Sequence, residues 1–325
     1  MDSQGKRRRV DDRLSNLPDC LLHNILSSLG SQQAVQTSRL SRRWRHLWRH
    51  VPCAYIDERE FAVDKWERFE DFTDHILMSI LPEMHLETFR LHLVRGTMRY
   101  NNCLAAYNRW IRRGLERLPD AIDIRAPGDN TVIWRRSFSP GLPVMVSGKD
   151  GFTRRLTTLD LVKVRILVDF LNNLSKDCPV LEVLYMKRCE GYLSVLISPT
   201  LRSLTMIGPS TYGTKVGLLR LIAPRLTSMR LEEFPYNGWR HYYNFKDEAP
   251  DQEPLAVLST ASIRLMGLYD YQRDRSQWQT RKLEVLKLVC NFMALLPNVT
   301  YLHISRFTVE VHIIKLKSSK SFLYI

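Results

Sequence analysis

Between residues 156 and 304 the apolar positions fall into a short recurring unit, Leu-x-x-Leu-x-Leu. It reads Leu156-Leu159-Leu161, Leu181-Leu184-Met186, Leu201-Leu204-Met206, Leu226-Met229-Leu231, Leu283-Leu286-Leu288 and Val299-Leu302-Ile304. A degraded copy puts Thr260, Ile263 and Leu265 in the same places, and Leu86-Phe89-Leu91 and Ile122-Asp123-Ile124 fit it earlier in the chain. From Leu159 onward the copies are 16 to 34 residues apart, most of them 20 to 25. The last two apolar positions alternate with the period of a strand, and the spacing suits a unit of one strand plus a return segment. One such unit cannot bury its own leucines. Stacked neighbours can, by joining their strands into a parallel sheet over a continuous core. The residue between the last two apolar positions then faces away from that core. The open, concave surface so formed would carry Asp160, Tyr185, Thr205, Arg230, Arg264, Lys287 and His303, the candidate binding residues.

Upstream the rhythm is helical. Leu21, Leu22, Ile25, Leu26 and Leu29 recur with helical spacing, Pro18 suits a first helical position, and Asp19 follows in the first turn, where the dipole favours an anion. Gly30 supplies a stop and Ser31 a cap for a short helix over 32–37. Ser38 or Ser41 would cap a third helix, with Leu40, Trp44, Leu47, Trp48 and Val51 along one side. A unit this small needs a neighbour to cover its apolar faces. Two amphipathic helices are predicted next, one within 57–80 (Phe69, Phe72, Ile76, Leu77, Ile80) and one over 104–118 (Leu104, Tyr107, Ile111, Leu115, Leu118). Two stretches break the pattern. Residues 126–151 are rich in proline and glycine, and 233–254 hold Trp239, Tyr242, Tyr243 and Phe245, read as packing onto the stack or, alternatively, as a partner contact. The expected fold class is α/β: a basic tail over 1–13, a three-helix head over 14–52, a linker helix region over 53–80, a repeat solenoid with a parallel sheet over 81–309, and a C-terminal tail over 310–325.

Composition narrows the function. The 325 residues are 44% apolar and 25% charged, a globular mix. Lysine and arginine number 48 against 34 acidic residues, a net charge of +14, which favours nucleic acid, an anionic membrane or an acidic protein surface as partner. Lys6, Arg7, Arg8 and Arg9 read equally as a nuclear import signal or a solvated tail. The longest run without charged side chains, 288–305, contains Pro297 and is not read as a membrane span. No apolar leader segment is recognisable in MDSQGKRRRV, so a soluble protein of nucleus and/or cytoplasm is expected. Six cysteines without C-x-x-C spacing fit a reducing compartment and no zinc or redox motif. Asn173-Leu174-Ser175 and Asn298-Val299-Thr300 are then chance sequons. Phosphate-loop, dinucleotide, zinc-protease and nucleophile-elbow motifs are absent. His46 and His50, flanked by Arg45 and Arg49, read as a solvated helix face. No catalytic residue, metal or cofactor is nominated, and the chain is expected to bind rather than to catalyse. The positive charge keeps a nucleic-acid-binding repeat protein as the alternative.

The run Leu17-Pro18-Asp19-Cys20-Leu21-Leu22-His23-Asn24-Ile25-Leu26-Ser27-Ser28-Leu29 resembles the F-box, whose pattern is L-P-x-x-[LV]-[LI]-x-x-I-L-x-x-L. Thr37-Ser38-Arg39-Leu40-Ser41-Arg42-Arg43-Trp44-Arg45-His46-Leu47-Trp48 is similar to its closing segment in plant members. Cys178-Pro179-Val180-Leu181-Glu182-Val183-Leu184 and Cys189-Glu190-Gly191 resemble the repeats of plant F-box/leucine-rich-repeat proteins. Asn24 and Gly30 depart from the family, which commonly has an acidic residue and a proline there. The resemblance implies a non-catalytic substrate receptor of a Skp–cullin–F-box ubiquitin ligase. Leu17, Pro18, Asp19, Leu22, Ile25, Leu26, Leu29 and Trp44 would dock on the Skp-type adaptor, and through it on cullin, while the repeats hold a target protein. The basic trio Arg230, Arg264 and Lys287 makes an acidic or phosphorylated target the natural expectation. An F-box protein acting outside a ligase is equally compatible with these residues.

Overall fold

The structure, a computed structural model, describes residues 17–62, 65–80, 85–94, 103–127, 154–164, 166, 171, 174–189, 195–208, 220–235, 257–266, 298–304 and 321–322. Lys6 to Arg9, the aromatic residues of 239–245, and Leu283-Leu286-Leu288 with Lys287 lie outside these.

Leucines at alternate positions of short strands can leave water only if many strands share one apolar face, and the chain does this with ten. In order across the sheet they are β1 (Cys53–Asp57), β2 (Thr88–His92), β3 (Ala121–Arg125), β4 (Thr158–Val162), β5 (Val183–Lys187), β7 (Ser203–Ile207), β9 (Ser228–Pro235), β10 (Thr260–Met266), β11 (Tyr301–Ile304) and β12 (Ser321–Phe322). Every described pairing is parallel. β6 (Val195–Ile197) and β8 (Arg220–Ile222) form a separate parallel pair. Phe89, Ile122, Leu159, Leu184, Leu204 and Met229 are buried and in register on neighbouring strands, followed two residues on by Leu91, Ile124, Leu161, Met186, Met206 and Leu231. This is the repeat legible in the sequence, seen as one continuous core.

Two local devices hold the register. The carbonyl of the residue just before a strand accepts N–H bonds from two successive residues of the next unit, as Thr157 does from Glu182 and Val183, and Arg202 from Thr227 and Ser228. The hydroxyls of Thr157, Thr227, Ser259 and Thr300 donate to the preceding unit's carbonyl in the same place, which is why Ser or Thr recurs after the leading apolar residue. At the far end of three strands the chain turns through a left-handed residue, Lys163, Arg188 or Gly208, whose N–H donates to the next strand. A positive φ costs a residue other than glycine about 1–2 kcal/mol, which continuing the ladder offsets.

The sheet begins earlier than the leucine pattern suggested. The stretch read as a linker contributes β1, where Val51, Ala54 and Ile56 occupy the apolar positions. Alanine carries so little apolar signal that the copy was invisible. The same residue type misled the reading of β10. There the buried set is Leu258 and Ala261, with Ile263 opposite Leu231, so the degraded copy lies two residues upstream of Thr260-Ile263-Leu265. β10 pairs directly with β11.

The head also differs in detail. α1 (Asp19–Ser27) and α2 (Ser31–Gln36) are helical as expected. In place of a third α-helix stand two 3₁₀ turns, Thr37–Arg39 and Leu47–His50, joined by non-helical turns. Arg39, Arg42, Arg43, Arg45 and Arg49 would put like charges three and four residues apart on a helix, which opposes its formation. Arg43 instead bonds back to the Leu17 carbonyl and the Asp19 carboxylate. Gly30 adopts an ordinary φ of −61°. Its lack of a side chain makes room for the Glu60 carboxylate, which a Cβ would overlap. Ser31, expected as a cap, accepts a hydrogen bond from the Tyr55 N–H at 2.9 Å and so ties α2 to β1.

On the apolar face of the sheet lie α3 (Trp66–Ser79) and α4 (Cys103–Leu115), joined by tilted and edge-on contacts among Trp66, Phe69, Tyr107 and Trp110. A single turn, α5 (Leu174–Asp177), precedes β5. Asp74 of α3 receives hydrogen bonds from Arg109 at 2.7 and 3.1 Å, from the Trp110 indole at 3.0 Å and from Arg113 at 2.7 Å. Burial alone would raise its carboxyl, but the hydrogen bonds from Arg109 and Trp110 and the two guanidinium charges outweigh it and hold it below the usual carboxylate range. The buried helix residues Ile111 and Leu115 flank Gly114, whose missing side chain admits the Phe89 ring of β2.

Two outcomes follow for stability. Gly114→Ala adds about 1 kcal/mol of helix propensity but drives a methyl into the Phe89 ring, so urea denaturation should show a net loss of about 1–3 kcal/mol. A gain would contradict this packing. Asp74→Asn should cost about 2 kcal/mol at neutral pH, because Arg109 and Arg113 lose their charged partner. A lowered native pKa gives stability that is present above the unfolded value and lost as pH falls through the native one. The gap between wild type and variant should therefore narrow below about pH 4, and a gap independent of pH would rule out the charged form as its cause.

Candidate functional site

α1 carries two apolar faces. Leu22 and Leu26 point inward and are 0% exposed, packed in one core with Ala34, Trp44, Leu47 and Trp48. Three and seven residues after Pro18, on the adjoining side of the helix, stand Leu21 and Ile25, 45% and 42% exposed. Of the residues expected to meet a partner, Leu22, Leu26 and Trp44 thus lie inside the chain's own core. Leu17 and Leu29 are half-buried against it, and Pro18, Asp19 and Ile25 are exposed. Helical spacing alone pools the five periodic residues on one face, but a 100° step separates Leu21 from Leu22 and Ile25 from Leu26. That step was the available signal for Leu21. Leu40, 67% exposed just after the first 3₁₀ turn, was assigned to a helix face that does not form. In the turns after α2, Arg39, Arg42 and Arg45 are exposed, and Arg49 lies over the Trp48 ring. His23 of α1 stacks on His50 at 5.8 Å, and burial, then the nearby His50, hold its imidazole below the usual range, with Asp19 opposing.

The second candidate surface is the face of the sheet turned away from the core. Register places Arg90, Asp123, Asp160, Tyr185, Thr205, Arg230, Ser262 and His303 in one row from β2 to β11. Five of the seven expected binding residues, Asp160, Tyr185, Thr205, Arg230 and His303, therefore share a row. Arg264 does not. It stands opposite Glu232, one step along β10, because the apolar residue that sets the row is Ala261. Arg230 is bonded to Glu232 of its own strand at 2.8 and 3.0 Å. The expected basic trio is thus not a row of free cations.

The titratable groups of this face cluster at β1 to β4. His92 Nε2 is 2.9 Å from Asp123 Oδ2, and its Nδ1 is 3.8 Å from Asp57. Arg125 bonds Asp123 at 3.0 Å and approaches Asp160 to 3.8 Å. Burial opposes ionisation of Asp123, but hydrogen bonds from His92 and Arg125 win and keep its carboxyl low. Asp160, opposite it in register, receives no hydrogen bond from a side chain among the described residues, and Arg125 stays 3.8 Å away. Burial, then the Asp123 charge, push its carboxyl up to about 6. Asp123 and His92 are not among the residues the sequence pattern nominates, although Ile122-Asp123-Ile124 fits the repeat and places Asp123 on this face.

Among the described residues no three histidine, cysteine or acidic side chains are arranged to hold a metal, and no helix is long and apolar enough to cross a membrane. The buried thiols of Cys103, Cys178 and Cys189 are pushed by burial up to about 11, 12 and 12, which makes them weak nucleophiles.

The model of the F-box domain matches residues 14–54. The rice MEIOTIC F-BOX protein MOF (Oryza sativa subsp. japonica) is 34% identical over 311 residues, covering 90% of this chain and 60% of that protein. F-box/LRR-repeat protein 13 of Arabidopsis thaliana is 31% identical over 240 residues, 68% of this chain and 52% of its own length. An FBD-associated F-box protein of Arabidopsis thaliana is 27% identical over 340 residues, 96% and 70% of the two chains. The chain thus spans between about half and two-thirds of the length of these curated relatives. No solved structure matches it. The chain carries an F-box on α1, α2 and the turns that follow, and along most of its length it is similar to plant F-box proteins.

Proposed function

We propose that the chain is a non-catalytic substrate receptor of a Skp–cullin–F-box ubiquitin ligase. The observation that carries the reading is the second apolar face of α1. Leu22 and Leu26 already complete the head's internal core, so Leu21 and Ile25 are surplus to folding and remain half in water. A fully buried leucine or isoleucine is worth roughly 1.5–3 kcal/mol, so covering the exposed part of Pro18, Leu21, Ile25 and Leu40 gives several kcal/mol towards a Skp-type adaptor. Leu17 and Leu29 form the margin of that contact. Leu22, Leu26 and Trp44 act from within, by fixing the direction in which α1 presents its outer side. Arg39, Arg42 and Arg45 favour an acidic adaptor surface and speed its approach.

In this reading residues 14–52 are the adaptor-binding head, and the strands from β1 onward are a leucine-rich-repeat solenoid whose open face holds the target. The two parts meet without a spacer. The Ser31–Tyr55 bond and the shared core fix the head against the first strand, so a captured protein is held at a set place relative to the cullin-bound machinery. Catalysis elsewhere in the complex then gains from proximity alone.

The test is co-purification with a plant Skp-type adaptor. Wild type should recover the adaptor, and the double variant Leu21→Glu, Ile25→Glu should lose at least about a hundredfold in affinity while its circular dichroism is unchanged, since both side chains lie outside the core. Equal recovery by both proteins, or none by wild type, would refute the proposal.

A further inference from the structure

We propose that the open face includes a subsite in which Asp160, flanked by Val162 and the Tyr185 ring, takes a lysine or arginine side chain from a basic segment of the captured protein. The inference rests on the reading of this face as the target surface and names the target's chemistry.

The face balances much of its charge within single strands. On β3 and β9 a carboxylate and a guanidinium stand two residues apart on the same side and bond to each other, Asp123 with Arg125 and Glu232 with Arg230, and at the end of β1 Asp57 bonds Arg59 of the turn that follows. β4 breaks the rule. Two residues beyond Asp160, where the cation would stand, is Val162. Arg125 of β3 comes only to 3.8 Å and is committed to Asp123 at 3.0 Å. Lys187 of β5, opposite Val162 in register, makes no ion pair with Asp160 among the described residues. Asp160 Oδ1 is fully covered by protein yet has no hydrogen-bond partner among them.

The surroundings sharpen this. Asp160 faces the like charge of Asp123 across the strand pair, and His92, the nearest imidazole, is 8% exposed with Nε2 given to Asp123. A carboxylate so placed is destabilised by its own charge, which its raised pKa of about 6 records. An incoming cation would relieve that. Val162 and Tyr185 offer an apolar wall for the aliphatic stem and a ring face for the charged tip. The opposite target chemistry has less support, because Arg125 and Arg230 are already neutralised on their own strands.

The test uses the full chain and a library of short synthetic peptides of graded lysine and arginine content. Wild type should retain the basic peptides, with affinity falling about tenfold from pH 7.5 to pH 5 as Asp160 takes up a proton. The groups facing Asp160 during that titration are Asp123 and Arg125 of β3, His92 of β2 and Tyr185 of β5. Asp160→Asn should lose both the preference and the pH dependence. It should fold at least as well as wild type, because it removes a carboxylate whose penalty on the native state sets in above about pH 4 and is complete by about pH 6. Asp160→Lys should turn the preference towards acidic peptides. Retention of acidic peptides by wild type, retention of none, or a basic preference unchanged in Asp160→Asn would each overturn the subsite. Adaptor recovery measured on the same preparations separates the two proposals: loss of adaptor binding with basic peptides still retained refutes the ligase reading alone.

Discussion

A short strand with leucines at alternate positions cannot hide them by itself. That constraint organises this chain. Each of β1, β2, β3, β4, β5, β7 and β9 contributes two apolar residues to a face that is dry only because its neighbours contribute theirs, and the carbonyl before each strand is satisfied by the next unit. The stability of any one unit is therefore borrowed from those beside it, as expected of stacked repeats. The head obeys the same logic at the N-terminal edge. It covers β1 through α2, and with α1 it begins the core that runs on under the sheet.

The two surfaces left over differ in kind. The outer side of α1 is apolar and lies on a short, well-packed helix, so it suits a permanent or long-lived partner. The open face of the sheet is polar and largely self-neutralised by pairs two residues apart. Bulk charge was a poor guide to it. A net charge of +14 suggested an anion-binding chain, yet the described arginines of the open face are mostly committed to carboxylates of their own strands. Asp160 is the carboxylate of that face with no cation on its own strand.

How much of this could be read from the residues depended on side-chain size. Where leucine, methionine or phenylalanine filled the apolar positions, as in β2, β4, β5, β7 and β9, the strands were legible. Where alanine did, as at Ala54 and Ala261, one strand was missed and another was placed two residues too far along, which moved Arg264 out of the row it was expected to join. β6 and β8 are three residues long and left no periodic trace, although Ile197-Ser198-Pro199 and Ile222-Ala223-Pro224 are matching segments on their way to Leu201 and Leu226. The third helix failed for an electrostatic reason that apolar spacing does not register. In the head, the pattern located the apolar residues but did not separate the side of α1 that folds the chain from the side left for a partner. Only the burial of Leu22 and Leu26 against the exposure of Leu21 and Ile25 does that.

The claim on which the account turns is that this exposed side of α1 is where another protein sits. Hydrogen–deuterium exchange on the full chain, alone and with a plant Skp-type adaptor, tests it directly. The account predicts new protection confined to α1 and the turns through residue 50, with β4 and β5 unchanged. Protection that appears instead along the sheet, or none anywhere while the adaptor is bound in excess, would contradict it.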